Sequence, residues 1–172
     1  DLVGEQPGRC MMEDRITINI ADMRLARSPA VFVTFALGSC VGICLYDAVE
    51  KVGGLGHIML PCRPKEDPGR QVFRYADSCI PEMVKGMERM GCPRCRIVAK
   101  ITGGAKMFQI AGDGGFGNIG ERNLEAVRNT LAELNIRVVS EDTGLNYGRT
   151  VYFYTETGTV LVKSFAKGVK RL

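Results

Sequence analysis

Apolar segments in the first third of the chain predict β-strands. In "RITINI" (15–20), apolar and polar residues alternate, as they do in a strand with one buried face. The run "VFVTFAL" (31–37) is apolar almost throughout and predicts a second strand. Two further runs, "VGICLYD" (41–47) and "GGLGHIML" (53–60), are separated by a short connection. A connection this short between two strand-like runs predicts an antiparallel hairpin.

Two later segments show the periodicity of amphipathic helices. In 71–90 an apolar residue recurs every fourth position, and Gly91 provides a stop; this face carries Tyr75, Cys79, Met83 and Met87. Pro81 lies inside the segment and is expected to kink or split the helix, because proline has no amide hydrogen. The second helix is predicted over 121–134, where one stripe carries Leu124, Val127, Leu131 and Leu134.

The remaining patterns are strand-like. "CRIVAKI" (95–101) and "IRVVSED" (136–142) each predict one strand, and 148–164 predicts a closing hairpin that turns at Thr157 and Gly158. Strands outnumber helices and arrive in hairpins. The pattern therefore predicts an α+β fold with mostly antiparallel pairing, not a doubly wound parallel sheet.

Composition narrows the class of protein. A length of 172 residues with 45% hydrophobic side chains suits one domain, which we assign to 15–165, after a flexible lead at 1–14 and before a basic tail at 166–172. The net charge of +4 is mild, and no basic run is interleaved with aromatic residues, so we expect no nucleic-acid partner.

The sequence also bears on the expected location of the protein. No apolar run is long enough for membrane insertion, and no signal peptide is recognised. The missing initiator methionine indicates an incomplete or processed N-terminus. Seven cysteines, an odd number, indicate free thiols in a reducing cytoplasm.

The predicted hairpin brings one cysteine close to the chain's only histidine. Opposed residues of an antiparallel pair point to the same face, so Cys40 and His57 share a face if either Cys40 or Gly42 lies opposite His57. Both registers put the two side chains within reach, at roughly 4.5–8 Å between Cβ atoms. The intermediate register would place the two side chains on opposite faces of the sheet. We expect the Cys40 sulfur to lie within about 4 Å of an imidazole nitrogen.

A thiol becomes a nucleophile when a base takes its proton, and a neighbouring imidazole can lower the thiol pKa. Backbone N–H groups of 38–41 are candidates for an oxyanion hole, and the Thr34 hydroxyl is a candidate acceptor for the His57 N–H. We expect Cys40 to be the fastest cysteine to alkylate. The alternative is purely structural: a small buried cysteine and a hydrogen-bonded histidine within a core.

Five motifs in order resemble the CheD family of bacterial chemoreceptor glutamine deamidases: "LGSCVGICLYD", "GGLGHIMLP", "ITGGAKMF", "IGERN" and "DTGLNYGRTVYFYTETG". The resemblance implies a layered α+β sandwich of mixed, mainly antiparallel sheet with two main helices. It also implies a Cys-His-Thr arrangement, which falls on Cys40, His57 and Thr34. The implied reaction is deamidation of receptor glutamines through a thioester, without metal or cofactor. Implied partners are methyl-accepting chemotaxis receptors and a CheC-type phosphatase, and some relatives also hydrolyse receptor methyl esters.

Other interpretations remain open. One alternative is a CheC-binding regulatory adaptor in which catalysis is minor. "GDGGFG" (112–117) matches a nucleotide-binding pattern, but the preceding strand ends too early. "CPRC" (92–95) has metal or redox spacing without a second pair of ligands. Three apolar residues near the glycine-rich segment are candidates for receptor contact or for the core: Met107, Phe108 and Phe116.

Overall fold

The strands and helices are those of a computed structural model that describes residues 14–66, 71–107 and 118–172. These residues form ten strands and two α-helices: β1 (Asp14–Thr17), β2 (Asp22–Arg27), β3 (Ala30–Leu37), β4 (Val41–Asp47), β5 (Val52–Ile58), α1 (Ala76–Arg89), β6 (Val98–Gly103), α2 (Ile119–Glu133), β7 (Arg137–Thr143), β8 (Arg149–Tyr154), β9 (Val160–Ser164) and β10 (Gly168–Arg171). Short 3-10 helices at Val72–Arg74 and Arg94–Arg96 precede α1 and β6.

The strands form two five-stranded sheets. Sheet I has the order β1-β3-β8-β9-β10, and sheet II has the order β2-β5-β4-β6-β7. The β1–β3 and β6–β7 pairs are parallel, and the other pairs are antiparallel. The predicted fold class is confirmed: an α+β, single-domain layered sandwich of mixed, mainly antiparallel sheet with two helices.

Two apolar clusters divide the molecule into three layers. One cluster joins α1 and α2 to sheet II through residues such as Ile43 and Met83. The other fills the space between the two sheets, with Phe32 and Phe153 from sheet I against Leu55 from sheet II. Sheet II is therefore the middle layer, with helices on one face and sheet I on the other.

Burial explains why the strands of the two sheets look different in sequence. Every residue of β4 and β5 is buried, since sheet II is covered on both faces. Apart from Asp47 and His57, these strands consist of apolar residues and glycine. In β8, buried residues alternate with partly exposed ones, as expected for a strand of an outer sheet.

The structure corrects several predicted boundaries. Helix α1 begins at Ala76, because Tyr75 is extended (φ −113°, ψ 140°) and pairs with Leu60. The helix continues through Pro81 and is not split there. The strand predicted at 15–20 ends at Thr17, and β2 follows without having been predicted. Part of the predicted basic tail forms β10, which pairs with β9. Of the predicted N-terminal lead, 1–13 lies outside the described residues.

Candidate active site

The β4–β5 hairpin has the second of the two registers that suit a Cys-His pair. Gly42 lies opposite His57, and Cys40 directly precedes β4. Leu55, two positions before His57 on β5, packs into the core between the sheets, and so does Cys40. Side chains on alternate strand positions share a face. Cys40 and His57 are therefore presented to the same face of sheet II, the face that meets sheet I.

Thr34 reaches the histidine from the opposite sheet. It lies on β3, which pairs with β1 and β8 and not with β4. A β-bulge interrupts the β3–β8 pairing between Thr34 and Leu37. The Thr34 hydroxyl oxygen is 2.7 Å from His57 Nδ1, and both side chains are buried. The predicted contact between this hydroxyl and the imidazole is confirmed, but it crosses the gap between the sheets.

The hydrogen bonds of Thr34 determine the tautomer of His57. The hydroxyl donates its single hydrogen to the Ile18 carbonyl oxygen at 2.8 Å, and a carbonyl oxygen can only accept. Thr34 must therefore accept from His57, so Nδ1 carries the imidazole hydrogen. The other nitrogen, Nε2, then carries a lone pair.

His57 Nε2 is a free base. It is buried and has no hydrogen-bond partner among the described residues. Burial disfavours the charged imidazolium and lowers the pKa of His57 to about 4. At neutral pH the ring is uncharged and able to take a proton.

The loop that carries Cys40 is held by backbone hydrogen bonds from the segment after β6. Gly104 N–H donates to the Cys40 carbonyl oxygen at 2.9 Å, and Ala105 N–H donates to the Gly38 carbonyl oxygen at 2.8 Å. Gly103 lies at φ +103°, and a Cβ at this position would clash with the Cys40 carbonyl oxygen. Close approach of the two backbones requires glycine at 103.

The state of the Cys40 thiol differs from our expectation. Partial burial raises the pKa of Cys40 above its usual value, and the residue's own backbone N–H only partly offsets this. No hydrogen bond between Cys40 and His57 is formed, since Nε2 has no partner in the described part of the chain. The resting pair is a neutral thiol and a neutral imidazole. The expected lowering of the thiol pKa by the imidazole is therefore wrong for the resting protein.

Comparison with known proteins identifies the family to which this chain belongs. A family model described as CheD chemotactic sensory transduction matches residues 59–164. The chain belongs to the CheD family. The matched range begins just after His57, so the three candidate residues lie outside it.

Curated CheD proteins are similar to this chain over nearly its whole length. A protein of Caldanaerobacter subterraneus subsp. tengcongensis is 44% identical over 160 residues, which cover 92% of this chain and 99% of that protein. A protein of Lachnoclostridium phytofermentans is 41% identical, covering 94% of this chain and 100% of its own length. Both are named probable chemoreceptor glutamine deamidase CheD. At this coverage the similarity includes residues 34–57.

One buried polar residue beside the candidate site was not predicted from the sequence. The Asn123 side chain, fully buried on α2, donates to the carbonyl oxygens of Ser39 and Met59. These carbonyls lie in the loops that follow β3 and β5. The only sequence signal was the place of Asn123 within the motif "IGERN".

Arg149 organises the loop that precedes β8. Its guanidinium donates to the Gly144 carbonyl oxygen at 2.9 Å and to Asp142, and it stacks on the Tyr147 ring at 4.3 Å from the ring centre. The segment around Asn146 and Tyr147 therefore packs around a buried arginine.

The other candidates gain no support as sites. The nucleotide-binding pattern at 112–117, together with Phe108 and Phe116, lies outside the described residues. Met107 is exposed, and its side chain lies beside Gly38. Cys92 is buried and Cys95 is exposed. Within the described ranges, no cluster of three or more His, Cys, Asp or Glu side chains is arranged to hold a metal ion. Neither α-helix in those ranges has the length and apolar character needed to cross a bilayer.

Proposed function

We propose that this chain is a cysteine-dependent hydrolase that deamidates glutamine side chains of chemoreceptors to glutamate. The names of its relatives support the substrate class. The observation that carries the chemistry is the Thr34–His57 hydrogen bond, which leaves Nε2 unprotonated on the face that also receives Cys40. A fixed base beside a thiol on one face of a sheet is the arrangement that nucleophilic catalysis requires.

The first half of the proposed reaction forms a thioester. His57 Nε2 takes the thiol proton as the Cys40 sulfur attacks the carbon of the glutamine amide. The carbonyl oxygen becomes an oxyanion. Its collapse expels the amino group, which takes the proton from Nε2 and leaves as ammonia. Since both partners are neutral at rest, proton transfer accompanies the attack and does not precede it.

The second half releases glutamate. Nε2 removes a proton from water, and the resulting hydroxide attacks the thioester carbon. The Cys40 sulfur leaves and regains its proton from His57, while the receptor keeps a carboxylate. The net change is one water consumed and one ammonia released. Neither half uses a metal or a cofactor.

The same proposal covers partners and location. Methyl-accepting chemotaxis receptors are the substrate, and a CheC-type phosphatase is a proposed regulatory partner. The cytoplasm is the proposed compartment, since the cysteines described are free.

Incubation with the cytoplasmic fragment of a chemoreceptor tests the proposed function. Peptide mass spectrometry follows the conversion of glutamine to glutamate, and an enzymatic ammonia assay gives the stoichiometry. We expect one ammonia per glutamate formed and no conversion by Cys40→Ala. Conversion at an unchanged rate by a folded Cys40→Ala variant would contradict the cysteine mechanism. Retained CheC binding without conversion by the wild-type chain would favour the adaptor function.

A further inference from the structure

The Asn123 carboxamide joins the loops that flank the nucleophile and the base. Its Nδ2 donates to the Ser39 carbonyl oxygen at 2.9 Å and to the Met59 carbonyl oxygen at 3.1 Å. Ser39 directly precedes Cys40, and Met59 follows two positions after His57. Both partners are acceptors, so the NH2 group must face them. This fixes the amide orientation and leaves Oδ1 without a partner among the described residues.

The Ser39 hydrogen bond orients the amide hydrogen of Cys40. In a trans peptide the C=O and N–H of one unit point in opposite directions. With the Ser39 carbonyl directed at Asn123, the Cys40 N–H points away from α2. In the described part of the chain no carbonyl or side-chain oxygen accepts this N–H. The N–H lies close enough to its own sulfur to act on the thiol pKa.

An unpaired N–H beside the nucleophilic sulfur is suited to stabilising charge during acyl transfer. When the sulfur attacks a carbonyl carbon, the oxygen bonded to that carbon gains the negative charge and becomes the oxyanion. The backbone N–H of the nucleophile itself is a donor to the oxyanion in the serine protease mechanism. The next peptide is fixed too, because the Cys40 carbonyl accepts from Gly104 N–H at 2.9 Å.

We propose that Asn123 is a positioning residue: it holds the Ser39–Cys40 peptide so that the Cys40 N–H stabilises the oxyanion formed at Cys40. The proposal deepens the proposed function, since it takes Cys40 as the nucleophile. It assigns Asn123 no contact with the substrate. The proposed effect on the oxyanion passes through the Ser39–Cys40 peptide, and it is confined to reactions in which a carbonyl oxygen gains charge.

Two small reagents separate this role from general support of the loop. With p-nitrophenyl acetate, the Cys40 sulfur attacks the acetyl carbon, the thiol proton passes to His57, and nitrophenolate leaves. An oxyanion forms on the way. With iodoacetamide, the sulfur displaces iodide from a saturated carbon and no oxyanion forms. Asn123→Ala is expected to slow Cys40 acylation about 10- to 100-fold, because a displaced oxyanion donor is costly. Alkylation of Cys40 should change by less than about twofold, since it needs only the thiol and the base.

The controls use the same chain. Rates with Cys40→Ala are subtracted to remove reactions at the exposed Cys62 and Cys95. Asn129→Ala changes an exposed asparagine on the same helix and should leave both rates at the wild-type level. Asn123→Leu is a second variant of nearly the same shape; its side chain has no hydrogens to donate to the two carbonyls and no charge, and it should also slow acylation selectively.

Each remaining outcome overturns the proposal. An equal loss of acylation and alkylation in both Asn123 variants would show general disruption of the site, and unchanged acylation would show that the donor is not held by Asn123. Absence of Cys40-dependent acylation in the wild-type chain would overturn it as well. The reaction of Cys40 with p-nitrophenyl acetate does not depend on receptor recognition. Failure of the wild-type chain to deamidate receptor fragments would therefore contradict the proposed function but not the role of Asn123.

Discussion

Removal of the Thr34 hydroxyl should impair the base without changing the shape of the core. Thr34→Val keeps the branched side chain and deletes only the oxygen. In the wild-type protein that oxygen accepts from His57 at 2.7 Å and donates to Ile18 at 2.8 Å. The variant leaves a buried N–H and a buried carbonyl without their partners. We therefore expect slower turnover and a less stable fold.

The magnitude follows from those two hydrogen bonds. An unsatisfied buried donor costs about 1–3 kcal/mol. Only the His57 tautomer with hydrogen on Nδ1 loses its hydrogen-bond acceptor in Thr34→Val. The free-energy difference that favours this tautomer over the other therefore falls by about the same 1–3 kcal/mol. Each 1.36 kcal/mol is tenfold, so the rate should fall about 10- to 100-fold. Cys40→Ala and His57→Ala remove the nucleophile and the base, and both should lose more. The free energy of unfolding of Thr34→Val should fall by about 1–3 kcal/mol.

The single histidine makes the assay unusually direct. Protein labelled with 15N-histidine gives the ring nitrogens of His57 alone. We expect Nδ1 protonated and Nε2 unprotonated in the wild type, and a larger share of the other tautomer in Thr34→Val. Turnover is followed on a receptor fragment, with thermal unfolding as the folding control. Thr34→Ser restores the hydroxyl and should restore both the tautomer and most of the rate.

The reasoning would be refuted by a well-folded Thr34→Val that keeps wild-type turnover and the wild-type tautomer. Rescue by Val of a loss caused by Thr34→Ala would show that the side chain is needed for packing. Complete loss of activity in Thr34→Val, equal to that of Cys40→Ala, would show that the hydroxyl does more than orient the ring.

Two further predictions concern pH and the Cys40 loop. The pKa of His57, measured by NMR, should be about 4. As the pH is lowered, kcat/KM should fall only below that value. A ring pKa near 6.5 would contradict the burial of the base. Because the unfolded chain binds the histidine proton at higher pH than the folded one, the free energy of unfolding should fall by about 3 kcal/mol as pH drops from 6.5 to 4, and His57→Gln should lose this dependence. Gly103→Ala should lower the thermal stability and the activity, because it combines φ +103° with a clash at the Cys40 carbonyl. Gly91→Ala, at φ +94° with no atom within 4 Å, should show only backbone strain of about 1–2 kcal/mol and normal activity.

Local pattern was sufficient to single out the cysteine and the histidine as a candidate pair. A short hairpin allows few registers, and two of the three that the sequence left open put Cys40 and His57 on one face. The structure has one of those two, with Gly42 opposite His57. Thr34 was selected for its hydroxyl, but the sequence did not indicate the sheet from which it reaches His57. Its strand joins the other sheet, and no local pattern reports which sheet a strand enters.

Several features that depend on hydrogen bonds to backbone groups were not predicted. All four residues of β10 are exposed, so its strand character comes only from hydrogen bonds to β9 and leaves no apolar pattern. Asn123 was missed for a similar reason: its partners are two backbone carbonyls far away in sequence. The start of α1 was placed too early because Tyr75, although in phase with the helix, is held extended by Leu60.

The most direct test of the account is to trap the acyl intermediate on Cys40. The protein is mixed with a receptor fragment and quenched in acid, and the cross-linked peptides are identified by mass spectrometry. The account predicts a thioester between the Cys40 sulfur and a receptor glutamine side chain in the wild type and in Cys62→Ala, which changes an exposed cysteine. It predicts none in Cys40→Ala. Receptor deamidation with no adduct at Cys40, or with an adduct at another residue, would contradict it.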